Sequence, residues 1–206
     1  MNRYQTLLSI STCAATAGAD VGKALTADGS TPLFIAAQNG HLHVVERLLA
    51  APGVEATLDK GTTDDAGPPL FVASYMGRAH VVARLIAAGA NVDTALATGA
   101  TPLYIAAQEG HWDVAVQLIV AGADVIRART TDGGTPLFIA ANRGQVDVVA
   151  QLIAAGAAVD ATCATSTTDG DTPLLSAAFR GHVDVVARLI GGGAAGAYTR
   201  PLFGST

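Results

Sequence analysis

The sequence predicts an all-α solenoid, a stack of helix-turn-helix repeats joined by hairpin-like loops into one elongated domain. Three observations predict it. The stretches Thr31–His41 (TPLFIAAQNGH), Thr101–His111 (TPLYIAAQEGH) and Thr135–Gln145 (TPLFIAANRGQ) spell nearly the same eleven residues. A catalytic motif is needed once, whereas a stacked unit is needed many times. Proline recurs at 32, 69, 102, 136 and 173, intervals of 37, 33, 34 and 37 residues. A period of about 20–50 residues marks a repeat array. The apolar half of the composition is mostly Ala, Val, Leu and Ile, with only 5% aromatic residues. A core of small side chains requires close approach, which suits helices packed on helices.

Each unit runs in the same order. A turn comes first: DGST, AGPP, TGAT, DGGT and DGDT. A short helix then starts at the proline, whose missing N–H would have been unpaired there anyway. The threonine before it is a capping residue. That helix ends at Gly40, Gly77, Gly110, Gly144 and Gly181, the residue type that most easily turns left-handed. A second helix follows, with apolar residues at helical spacing, as in Val44, Val45, Leu48 and Leu49 or Val148, Val149, Leu152 and Ile153. One pair of helices cannot bury all its apolar residues, but a stack of pairs can. The expected units are 27–63, 64–96, 97–130, 131–167 and 168–197. Residues 1–26 read as a partial, degenerate N-terminal repeat, because Ala17–Phe34 parallels Ala121–Phe138. Residues 198–206 (YTRPLFGST) read as a truncated repeat start, with Tyr198, Leu202 and Phe203 as a partial lid over the last unit.

The units resemble ankyrin repeats. The TPL core of that family matches at Thr31-Pro32-Leu33, Thr101-Pro102-Leu103, Thr135-Pro136-Leu137 and Thr172-Pro173-Leu174. Its alanine pair matches at Ala36-Ala37, Ala106-Ala107, Ala140-Ala141 and Ala177-Ala178, and its Gly-His loop at Gly40-His41, Gly110-His111 and Gly181-His182. The resemblance implies an ankyrin-type stack whose turn tips and first helices form a concave binding face. It also implies that the loop histidines bond the backbone of a neighbouring unit. There are departures. The family's histidine after TPL is here Phe34, Phe71, Tyr104, Phe138 and Leu175, so rings are expected to stack along that row. Pro68 replaces the capping threonine of the second unit. The linkers after the first and fourth units are long and are expected to bulge at the hairpin tips. Val185, Val186, Leu189 and Ile190 are expected to lack a covering unit, so either the tail folds back over them or the uncapped terminal repeat self-associates.

The function classes narrow by composition. The net charge is −5, with no basic stripe for nucleic acid. No apolar run reaches the roughly 18 residues of a membrane span. Cys13 and Cys163 have neither disulfide-framework nor metal-ligand spacing. His41, His43 and His80 do not complete a metal set, and Gly191–Gly196 (GGGAAG) follows a helix rather than a strand, so no dinucleotide site is expected. No catalytic residues and no cofactor are expected. The N-terminus is a poor signal peptide, so an intracellular, cytoplasmic protein is expected. What remains is a surface that binds another protein. Its candidate residues are those that differ between otherwise similar units: Tyr75, Met76, Gln108, Glu109, Asn142, Arg143, Phe179 and Arg180 on the first helices, and Asp65, Asp132, Asp169 and Asp171 on the tips. Two alternatives stand beside this reading: a spacer or fragment of a larger repeat protein, and an enzyme or small-molecule binder with a pocket that carries no motif.

Overall fold

The computed structural model describes residues 20–24, 27–63, 65–163 and 170–191. Among them eleven helices follow one another. Ten form pairs: α1 (Pro32–Asn39) with α2 (Leu42–Leu49), α4 (Pro69–Tyr75) with α5 (Ala79–Ala87), α6 (Pro102–Glu109) with α7 (Trp112–Val120), α8 (Pro136–Arg143) with α9 (Val146–Ala154), and α10 (Pro173–Arg180) with α11 (Val183–Ile190). The other, α3 (Glu55–Leu58), is a single turn in the first long linker. First helices pack on first helices, from α1 through α4, α6 and α8 to α10, and second helices pack on second helices in a parallel layer.

Local chemistry sets the helix ends as the sequence implies. The Oγ1 atoms of Thr31, Thr101, Thr135 and Thr172 accept from the backbone N–H three residues on, at 3.1–3.2 Å. Pro68 offers no such acceptor to α4. In the first four repeats the leucine after the helix-starting proline, Leu33, Leu70, Leu103 and Leu137, is essentially fully buried, whereas its counterpart Leu174 in the last repeat is partly exposed. Burial of each such side chain contributes about 1.5–3 kcal/mol. The alanines beside them, Ala36, Ala37, Ala106, Ala107, Ala140 and Ala141, have no exposed surface, which lets successive helices approach closely. The turns are joined along the stack as well: Thr63 N–H donates to the Asp28 carbonyl at 2.9 Å, and Thr130 N–H to the Thr98 carbonyl at 3.0 Å.

Three expectations change. The first linker does not simply bulge, because α3 folds inward and buries Val54, Thr57 and Leu58, the Thr57 hydroxyl donating to the Val54 carbonyl at 2.8 Å. Residues 164–169 of the other long linker lie outside the described residues. The aromatic row is buried but split: Phe34 joins the main core, whereas Phe71 and Tyr104 share a small separate one with Ala100 and Ile105. Its fifth member, Leu175, is 55% exposed. Finally, Val185 and Leu189 are not bare. They face the main core and are buried, Val186 is half-buried, and of the four only Ile190 is largely exposed. The lid residues Tyr198, Leu202 and Phe203 lie outside the described residues, as does most of the segment read as a partial N-terminal repeat.

Candidate functional site

The residues just before each loop glycine stand at the ends of the first helices, and they are half-buried to exposed. The structure brings Tyr75, Met76 and Gln108 together around a cleft of about 350 Å³. Tyr75 is 43% exposed and Met76 38%. The floor is Phe71, Tyr104 and Ile105 from α4 and α6, and Leu96 and Arg129 enter from the two following turns. Phe71 and Tyr104 stand where the resemblance would place histidine, so a polar row has become the apolar floor of a cleft.

Arg129 makes the polar wall. Its guanidinium lies 5.2 Å from the centre of the Tyr104 ring, within cation–π range. It also grips Asp132 twice, Nε donating to Oδ1 at 3.0 Å and Nη2 donating to Oδ2. Asp132 Oδ1 further accepts from the Gly134 N–H at 3.0 Å, which closes the turn. The Arg129 hydrogen bond, helped by that of Gly134, holds the Asp132 carboxyl below the usual aspartate range. Burial pushes the Tyr104 hydroxyl above its ordinary value, partly opposed by the Arg129 charge. The Cys163 thiol is pushed up by burial and donates to the Asp132 carbonyl at 3.1 Å.

The other candidates are not part of the cleft lining. Glu109 follows Gln108 and accepts from its Nε2 at 2.8 Å. Asp65 takes a left-handed φ of 60°, tolerable for Asp, and its Oδ1 accepts from the Ala97 N–H at 3.4 Å. Asn142 Nδ2 donates to Ser176 Oγ at 2.8 Å, so this residue ties α8 to α10. Arg143, Phe179 and Arg180 are exposed farther along the same layer, Phe179 at 87%. Asp171 forms an antiparallel bridge with Cys163 through its backbone. Asp169 lies outside the described residues.

Sequence reasoning missed Arg129 and Leu96. Both open a turn hairpin, Leu96 N–H donating to the Ala100 carbonyl and Arg129 N–H to the Gly134 carbonyl. An arginine where the preceding unit has leucine was the available signal. Two of the loop histidines behave as the resemblance implies: His111 Nε2 lies 2.9 Å from the Tyr75 carbonyl oxygen and His182 Nε2 lies 3.0 Å from that of Asn142. Arg78 takes the same role toward the Gln38 carbonyl.

These features define a stacked helical repeat protein with a lined face. The family model for ankyrin repeats (3 copies) matches at residues 5–95, 52–129 and 103–198, so the chain belongs to the ankyrin repeat family. No curated protein matches the chain. Ankyrin repeats generally mediate protein–protein interaction, and the family is generally non-catalytic. Among the described residues no helix is long and apolar enough to cross a membrane, and no three His, Cys, Asp or Glu side chains converge as a metal set.

Proposed function

We propose that this chain is a non-catalytic interaction scaffold inside the cell, binding another protein along the face made by its first helices and turn tips. The observation that carries the reading is the cleft between α4 and α6, where the partly exposed Tyr75 and Met76 stand over a floor of buried aromatic rings. Large apolar side chains held in place on a rigid frame are the usual anchors of protein interfaces. Phe179, exposed on α10, supplies a second anchor along the same layer. A net charge of −5 disfavours nucleic acid as the partner. The test is a pull-down from the source cells with the whole chain and with a Tyr75→Ala/Phe179→Ala double variant. Proteins recovered by the native chain and lost by the folded variant support the reading. Equal recovery by both makes the array a spacer.

A further inference from the structure

The α4–α6 cleft also carries information about the chemistry of its occupant. At about 350 Å³ it stands at the small end of the roughly 300–1,000 Å³ typical of small-molecule sites, a size suited to one or two side chains. Its interior holds no uncompensated charge, because Asp132 neutralises Arg129. A charged anchor would lose its hydration there without gaining a free counter-charge, so the anchor is neutral and apolar. The rim is different. Gln38 and Gln108 put two amides at the edge of the lining. An extended backbone crossing the cleft needs such partners for its N–H and C=O groups.

Two exposed carboxylates are tied to the lining residues themselves. Glu109 is hydrogen-bonded to the Gln108 side chain, and Asp65 to the Ala97 backbone between Leu96 and Thr98. Among the described residues neither is in an ion pair. One repeat farther along the sign reverses: Arg143 holds in α8 the place that Glu109 holds in α6, and Arg180 holds it in α10. Both are exposed and, among the described residues, likewise outside any ion pair.

We infer that this cleft takes an extended protein segment carrying one large apolar side chain beside a lysine or arginine. The apolar side chain enters over Phe71 and Tyr104, and the cation meets Glu109 at the end of α6, with Asp65 adding negative charge from the turn at the other end of the cleft. Arg143 repels that cation, which sets the segment's direction, with its basic residue toward α4. The inference rests on the interaction reading above and goes further in naming the partner's chemistry.

The experiment is selection of a phage-displayed library of random short peptides on the full chain. Synthetic copies of the enriched peptides are then titrated by fluorescence anisotropy against the native chain and its variants, with folding followed by circular dichroism. The expected peptides share a large apolar residue next to Lys or Arg. Their affinity falls roughly tenfold or more with Tyr75→Ala, the loss of a central anchor. It falls a few-fold in Asp65→Asn/Glu109→Gln, which also flattens the salt dependence. These two carboxylates are exposed, so the charge variant keeps the test open should Tyr75→Ala fail to fold.

Peptides that bind Tyr75→Ala and the charge variant as well as the native chain, but are lost with Phe179→Ala, overturn the inference and leave the interaction reading standing. Acidic rather than basic flanks overturn it in the same way. Self-association in sedimentation runs that disappears with Tyr75→Ala would make a second copy the occupant instead. Failure to enrich any peptide would count against both readings.

Discussion

Gly144→Ala and Gly181→Ala separate backbone strain from repeat stacking. Both glycines end a first helix with nearly the same left-handed backbone, φ 75° and 76°. An L side chain there costs about 1–2 kcal/mol at either site. Their surroundings differ. A Cβ on Gly144 would lie 2.8 Å from His182 Nδ1 and 2.9 Å from its Cε1, whereas a Cβ on Gly181 meets nothing within 4 Å among the described residues. At position 144 the ring must move, which costs about 1–3 kcal/mol as overpacking. Movement also breaks the bond from His182 Nε2 to the Asn142 carbonyl, a further loss of about 0.5–1.5 kcal/mol. Gly144→Ala is therefore predicted to cost about 3 kcal/mol more than Gly181→Ala. The assay is urea denaturation followed by circular dichroism, with local opening in each repeat followed by hydrogen exchange, because stacked repeats need not unfold in one step. In a His182→Ala background the two alanine variants should become equivalent, a double-mutant cycle that isolates the ring contact. Equal losses in the native background would refute the claim that the loop side chain of one repeat is seated against the glycine of the one before it.

Tyr104→Ala is expected to destabilise by about 3–5 kcal/mol in equilibrium unfolding, as truncation of a buried ring does; a loss below about 1 kcal/mol would place the ring outside the core. Gln117→Leu is expected to raise the melting temperature, since among the described residues Gln117 Oε1 is buried without a hydrogen-bond partner, and such an orphan costs about 1–3 kcal/mol. The Asp132 carboxyl is depressed by Arg129, so its contribution is fully present above an ordinary aspartate value of about 4 and is lost as pH falls through its lower folded value. Asp132→Asn should therefore flatten the acid limb of the stability–pH curve, and an unchanged limb would count against the ion pair. The Phe71 amide, with no threonine acceptor, should exchange faster than those of Phe34, Tyr104 and Phe138.

Most of the fold was legible because each repeat states its own rules. Thr-Pro at the helix start, glycine at its end and the 3.6-residue spacing of Val and Leu act within a few residues of one another. The departures arose where tertiary contact overrides local pattern. EATL in the first linker looked like part of a loop, yet it folds as α3 because Val54 and Leu58 have a core to enter. Val185 and Leu189 looked bare because the sequence says which residues are apolar and leaves open which of them face inward. Tyr75, Met76 and Gln108 were legible as candidates because they vary against a constant background. Arg129 was not, since its importance comes from reaching across to Tyr104 while holding Asp132.

The most direct test of the interaction account is site-specific photo-crosslinking in the source cells. A photoreactive residue is placed at Met76, beside the α4–α6 cleft, and in a separate chain at Val120, which is 81% exposed at the end of α7 in the second-helix layer. The account predicts discrete adducts with another protein from position 76 and none from position 120. Adducts from position 120 alone would contradict it and move the binding surface to the opposite layer.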